Sequence, residues 1–421
     1  MSDLNLTNER RRVLSGMRPT GKLHLGNYMG ALYNWVKLQH QYECYFFIAD
    51  LHALTTNYED LSMLKSDIRE VALDFLAGGL DPEISTIFVQ SDVLLHDRLN
   101  TLLGMFTPLS WLERVPTYKD QQEQLREKDL ATYGFLGYPL LQSADILIYQ
   151  PHFVPVGLDQ ASHVELTREV ARKFNQLYPG EFFMAEGAAP WELEAVKSRA
   201  RKLSGKADKD TFTPHELIAA APQTKLKSAY DTRKILPEPE VLLTPSPRLP
   251  GTDGRKMSKS YGNTINLSDS EADIRNKLKT MVTDPARVHR TDPGNPEVCP
   301  VFDLHKVFST EETRLRVADG CVTAGIGCIE CKQWLADGVV RELAPVNERR
   351  RKYEADPVLV EEILDAGGRR ARARAEETIR QVSEVMGLRY RKARARWLTS
   401  SRTTRLNPFI ALNPFMAMKP R

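Results

Sequence analysis

Apolar residues recur along the first half of the chain in two alternating rhythms. Short continuous runs read as buried strands: Val13-Leu14-Ser15-Gly16 closes one, Tyr45–Ala49 is a second and Ile87-Phe88-Val89-Gln90 a third. Between them the spacing turns helical. Met29, Leu32, Tyr33 and Val36 mark one face of a helix from Gly26 to Gln39, and an amphipathic helix runs from Leu61 to Leu76 before Gly78-Gly79. Tyr138 to Tyr149 reads as an apolar helix and Val164 to Phe174 as another. This alternation, kept up to about Phe174, predicts an α/β fold. The expected form is a Rossmann-like, doubly wound parallel sheet with helices on both faces and ligands at the carboxyl edge of its strands.

From about Asp303 to Leu388 the pattern is helical throughout. Arg341 to Tyr353 and Asp356 to Met386 are the long pieces, with Gly367-Gly368 and Gly387 as breaks or caps. Four segments are expected: residues 10–187 with 236–290 as the α/β domain, 188–235 as an insertion between its two parts, 291–388 as a helical domain and 389–421 as a C-terminal extension. The insertion carries a helix from Trp191 to Leu203. A second helix opens at Thr213-Pro214, a cap followed by proline at the first helical position.

Composition adds little: 42% hydrophobic and 27% charged residues in 421 suit a globular chain of about two domains. No apolar run approaches the ~20 residues of a membrane helix, and the polar start Met1 to Arg12 has no apolar signal core. A cytoplasmic protein with no membrane partner is expected. Charge matters at one end. Residues 389–421 hold nine Lys and Arg and no Asp or Glu, against +3 for the whole chain, so the preceding residues sum to −6. The tail reads either as a basic arm for RNA or as an incidental extension. Glu348–Lys352 and Arg369–Arg374 read either as solvated helix faces or as phosphate contacts.

Two separated segments carry candidate chemistry. In Met17-Arg18-Pro19-Thr20-Gly21-Lys22-Leu23-His24-Leu25-Gly26-Asn27, a strand ends in a Pro/Gly turn and a helix opens. A helix N-terminus offers amides and a positive dipole end to phosphate, and glycine allows close approach. His24 adds a hydrogen-bond donor of small bulk. In Gly254-Arg255-Lys256-Met257-Ser258-Lys259-Ser260-Tyr261-Gly262, two lysines sit on a glycine-flanked loop expected to be mobile. Such cations suit charge that develops in a transition state.

Together, in this order, the two segments resemble the nucleotide-binding motifs of class I aminoacyl-tRNA synthetases. Ser15-Gly16-Met17-Arg18-Pro19-Thr20-Gly21 is similar to the tryptophanyl form. The likeness covers roughly residues 10–185 and 236–388. It implies a tryptophan–tRNA ligase that uses ATP with Mg²⁺ to form tryptophanyl-adenylate, then charges tRNA(Trp), acting as a homodimer. His24, Asn27, Lys256 and Lys259 are the implied catalytic residues. The implied ATP contacts are Arg18, Pro19, Thr20, His24, Gly26, Asn27, Gly157, Leu158, Asp159, Lys256, Met257, Ser258, Lys259 and Ser260. Of these, Gly157, Leu158 and Asp159 belong with Gln160 to the Gly157–His163 stretch, which looks like a further family element, with Asp159 toward the ribose. L-tryptophan is expected at Asp145, Tyr138, Gln160 and His52, with Asp145 accepting the indole N–H. Gln142 and Arg18 depart from the frequent Met and Gln of the family, which loosens the pocket details. A catalytically idle paralogue would be expected to have lost some of these residues.

Cys44 lies in an apolar strand and reads as core. The other four cysteines, Cys299, Cys321, Cys328 and Cys331, are spaced C-x21-C-x6-C-x2-C. Four cysteines ending in one C-x2-C in such a chain read as a tetrathiolate metal site rather than disulfides. Zinc and a cubane iron–sulfur cluster both take four thiolates. The stretch resembles a bacterial subgroup of tryptophanyl enzymes that carry a [4Fe-4S] cluster, one residue different in the first spacer. That resemblance implies a cluster, with zinc as the alternative and unmetallated free thiols as a third reading.

Overall fold

A computed structural model describes residues 10–116, 132–157, 160–184, 190–205, 208–221, 230–232, 234–243 and 248–389. Five strands form one parallel sheet. They are β1 (Arg12–Met17), β2 (Glu43–Ile48), β3 (Ser85–Val89), β4 (Phe153–Val156) and, at the far edge, β7 (Glu240–Leu243). Their order is β3-β2-β1-β4-β7. Val13 sits opposite Cys44 on one side and Phe153 on the other, and Phe153 is opposite Glu240. The chain thus winds outward from β1 in both directions, and the topological switch falls between β1 and β4. β5 (Phe182–Met184) and β6 (Tyr230–Thr232) form a separate antiparallel pair.

Neighbouring residues on a strand face opposite ways, so the sheet feeds two cores. Val13, Phe46 and Ile87 join one, together with Val301, Leu304, Leu335, Val346 and Leu364 of the helical region. Leu14, Phe47 and Phe88 join the other, with Leu147, Phe174, Ala371 and Ile379. Burial on both faces explains why these strands read as continuous apolar runs. β4 escaped that reading because it is four residues long and contains Pro155, a residue that argues against an inner strand.

The helical region comprises Pro300–Phe308, Glu311–Val322, Cys328–Ala355 and Pro357–Val385. The third of these begins earlier than its apolar pattern suggested and takes two of the cysteines into its first turn. The expected break at Gly367-Gly368 does not occur. The Pro357–Val385 helix passes straight through and presses on β3, where a Cβ on Gly367 would stand 1.7 Å from the Ile87 carbonyl oxygen. Glycine serves close approach there, whereas Gly387, at φ 68°, does follow the helix end as expected.

The basic clusters also take a role that sequence did not suggest. Arg349 donates to the Ala77 carbonyl, Arg370 to the Pro82 and Ser85 carbonyls, and Arg372 to the Asp92 carbonyl. Arg350 pairs with Asp74, Glu70 and Glu354. These arginines fasten the helices to the sheet domain, while Arg351, Lys352 and Arg369 stay exposed. Among the described residues no helix is long and apolar enough to cross a membrane.

Candidate active site

β1 ends at Met17, and the chain turns through Gly21, whose φ of 90° favours glycine. The Leu23 amide donates to Asp74 Oδ2 at 2.7 Å. His24 then caps the short Leu25–Asn27 helix. Its Nδ1 accepts from the amides of Gly26 (3.1 Å) and Asn27 (3.3 Å), and Asn27 Oδ1 accepts the His24 amide at 3.2 Å. The amides expected to be open for a phosphate are therefore already filled by His24. The helix is only three residues long before it widens into a π-turn, Tyr28–Leu32. With Nδ1 accepting, the imidazole proton belongs on Nε2. Burial, then the charges of Lys259 and Lys256, pull the His24 pKa down to about 4, so it is a neutral Nε2–H donor near pH 7.

The lysine loop is cinched rather than slack. Pro250 pairs with Lys256. Buried Asn263 accepts the Ser258 amide at 2.8 Å and donates to Asp253 at 2.7 Å and the Lys256 carbonyl at 3.2 Å. A Cβ on Gly251 would lie 2.3 Å from Asn263. Met257 is buried, its amide bonded to the Leu249 carbonyl. Lys259 Nζ reaches across to the opening motif, donating to the carbonyls of Thr20 (3.0 Å) and Gly21 (2.8 Å) and to Thr20 Oγ1 (3.3 Å). Burial pulls its pKa down to about 8, partly offset by Asp74 and Asp67.

Both motifs open onto one cavity of about 1070 Å³ at the switch between β1 and β4. Arg18, His24, Gly26, Asn27, Lys256, Met257 and Ser258 line it, and so do His52, Tyr138, Asp145, Gly157 and Gln160. Pro19, Thr20, Lys259 and Ser260 are not among the lining residues. Leu158 and Asp159 lie outside the described residues. Arg248 and Thr55 also line the cavity, and no motif pointed to them.

Asp145 is not a lone carboxylate. It is 1% exposed on the Tyr133–Ile148 helix. Its Oδ2 is 2.7 Å from His52 Nε2, and its Oδ1 is 2.7 Å from both Gln90 Nε2 and His96 Nδ1. His96 Nε2 in turn lies 2.8 Å from the Tyr149 hydroxyl. Burial pushes the carboxyl upward, but hydrogen bonds from His52 and His96 prevail and hold it at about 2. Gln90, His96 and Tyr149 were missed from sequence. Their one signal is a polar group at the end of an apolar run.

All five cysteines are free thiols. Cys299 precedes the Pro300–Phe308 helix, Cys321 is near the end of Glu311–Val322, and Cys328 and Cys331 open Cys328–Ala355. Burial, then the nearby Cys299, Cys321 and Cys328, push the Cys331 thiol up to about 12. Arg287 Nη1 lies 3.8 Å from Cys321 Sγ and its Nη2 donates to the Ile326 carbonyl. A Cβ on Gly294 would meet that sulfur at 2.6 Å. The four thiols share one neighbourhood, yet among the described residues no group of three or more His, Cys, Asp or Glu is arranged to hold a metal ion.

The fold and the cavity first define a class: a doubly wound α/β enzyme with a nucleotide-type site at its switch point. Likeness to known proteins narrows it. The family of class I tRNA synthetases (W and Y) matches residues 6–193 and 216–344. The tryptophan–tRNA ligase of Ralstonia nicotianae is 51% identical over 403 residues, spanning 90% of this chain and 99% of its own. That of Thermotoga maritima is 46% identical over 381 residues, 90% of this chain and 100% of its own. The crystal structure of tryptophanyl-tRNA synthetase from Campylobacter jejuni complexed with ADP and tryptophan superposes with TM-score 0.70 at 31% identity, covering 90% and 100% of the two chains. The chain belongs to the class I tRNA synthetases of the W and Y group and, within it, to the tryptophan–tRNA ligases.

Proposed function

We propose that this cavity is where the chain activates L-tryptophan and charges tRNA(Trp). The observation that carries the reading is the gathering of both motifs and Asp145 around one space. A tryptophan carboxylate oxygen attacks the α-phosphorus of ATP, held as its Mg²⁺ complex, and the bond to pyrophosphate breaks. A hydroxyl of the tRNA terminal adenosine then attacks the acyl carbon, and AMP leaves.

Such chemistry needs positioning and positive charge rather than a covalent nucleophile. His24 donates from Nε2 to a phosphate oxygen, with Asn27 fixing its turn. Lys256 and Lys259 take the pyrophosphate side, and Lys259 exchanges its Thr20 and Gly21 carbonyl partners for phosphate oxygens. Arg18, Pro19, Thr20, Gly26, Met257, Ser258 and Ser260 shape the nucleotide's surroundings, and Gly157 lets the ribose approach. Leu158 and Asp159 would complete that contact. Asp145 accepts the indole N–H; His52, Tyr138 and Gln160 frame the amino acid. The test is tryptophan-dependent exchange of pyrophosphate into ATP, followed by charging of tRNA(Trp). Failure of exchange with the intact chain overturns the reading.

The proposed organisation keeps residues 10–187 and 236–290 as catalytic domain, 188–235 as insertion, 291–388 as anticodon-side helical domain and 389–421 as extension, in a cytoplasmic homodimer. Cys299, Cys321, Cys328 and Cys331 are proposed to hold a [4Fe-4S] cluster, with zinc as the alternative. The shared neighbourhood of the four thiols supports this, because zinc and a cubane iron–sulfur cluster both take four thiolates. When bound, the group would supply a structural clip between three helices. Anaerobic purification and assay should find about four irons and four sulfides per chain. Zinc at one per chain without colour, or no metal, overturns the cluster.

A further inference from the structure

Behind the indole end of the cavity lies a chain of buried groups that the mechanism above does not use. Gln90, His96 and Tyr149 are each 1% exposed or less. Asp145 and His52 line the cavity, whereas these three do not. Their bonds can be given a direction. An ionised carboxylate only accepts, so His96 Nδ1 carries a proton and donates it to Asp145 Oδ1 at 2.7 Å. Burial, then the charge of Asp145, raise the Tyr149 hydroxyl well above its ordinary range, so it keeps its proton. That proton points to His96 Nε2 at 2.8 Å, which accepts it if the imidazole is neutral.

The consequence falls on Asp145. A carboxylate offers about four acceptor positions. Gln90 and His96 fill the two on Oδ1, and His52 fills one on Oδ2. One position on Oδ2 is left.

We propose that His96 and Tyr149 are positioning residues that set tryptophan specificity: Tyr149 fixes the His96 tautomer, and His96 anchors Oδ1 so that the remaining acceptor of ionised Asp145 meets the substrate N–H. The inference rests on the reading of Asp145 as acceptor of the indole N–H. Without the Nδ1–H donor, a fully buried carboxylate loses part of its compensation. It turns, or takes up a proton and becomes a donor. Either way an N–H on the substrate is no longer rewarded over its absence.

The test compares kcat/KM in pyrophosphate exchange for tryptophan and for 3-benzothienylalanine, which replaces the indole N–H by sulfur. His96→Leu should lower the tryptophan preference by about ten- to a hundredfold, with KM for ATP unchanged. His96→Asn, whose amide N–H can stand in for Nδ1–H, should recover most of it. Tyr149→Phe should lose part. Asp145→Asn separates the two levels of the argument. If His96→Leu keeps the preference while Asp145→Asn loses it, the relay is overturned and the reading of Asp145 stands. If both keep it, the reading of Asp145 itself fails. Should His96→Leu not fold, Tyr149→Phe decides: a lowered preference supports the relay and an unchanged one overturns it.

Discussion

Arg350, twenty-two residues into the Cys328–Ala355 helix, forms a buried ion pair with Asp74 of the Leu64–Gly78 helix. Asp74 Oδ2 accepts the amide of Leu23, the residue before His24. One carboxylate therefore ties the helical region to the turn that carries the nucleotide motif. Burial pushes Asp74 up to about 6, against the pull of Arg350 and the Leu23 amide.

Removing one partner of a buried pair leaves the other charge uncompensated, at a cost of about 3–5 kcal/mol. Arg350→Met should accordingly shift the urea unfolding midpoint sharply downward. A change worth less than about 1 kcal/mol, the size of an exposed pair, would show that water reaches Asp74.

Asp145→Ala should abolish tryptophan-dependent pyrophosphate exchange. The substitution removes the proposed acceptor of the indole N–H and strands the donors of His52, His96 and Gln90. A site built around such a bond discriminates by roughly 10⁴–10⁵-fold. Near-normal exchange in this variant would sink the indole assignment.

Lys259 predicts a pH limb. It is protonated below about 8 and neutral above. Because kcat/KM reports free-enzyme groups, kcat/KM for ATP should fall as pH rises through about 8. Lys259→Arg should move that limb upward, since arginine stays charged. A limb that stays in place in the arginine variant belongs to another group.

Gly367→Ala and Gly368→Ala form a matched pair. At Gly367 the new Cβ meets the Ile87 carbonyl oxygen at 1.7 Å, while at Gly368 its nearest neighbour is Asp92 Cβ at 3.8 Å. The first should destabilise by about 1–3 kcal/mol or more. The second should be neutral or gain up to about 1 kcal/mol of helix propensity. Equal melting shifts would mean that the helix can slide off β3.

Much of the site was legible in the chain. His24, Asn27 and Lys256–Ser258, which line one cavity, could be picked out because they fall in two short segments, and short spacing survives in one dimension. Tyr138 and Asp145 sit together on one helix for the same reason. Less legible were groups that act across long separations. Nothing local says that Lys259 lies on Thr20, that Asn263 cinches the lysine loop, or that Gln90 and His96 converge on a helix fifty residues later.

By itself the sequence determined the alternation of strands and helices, the family likeness and the residue types of the pocket. All of these follow from apolar periodicity and local turn chemistry. Only the tertiary structure decided how polar groups are used. Pro155 lies within a sheet strand, Gly367 admits a helix onto a carbonyl, and Arg349 and Arg370 of the last two described helices donate to backbone carbonyls of the sheet domain. The physical reason is common to all three: a charge, a glycine or a proline is neutral information until its neighbours are known. Its energy depends on who satisfies the hydrogen bond or fills the space, and those partners come from distant parts of the chain.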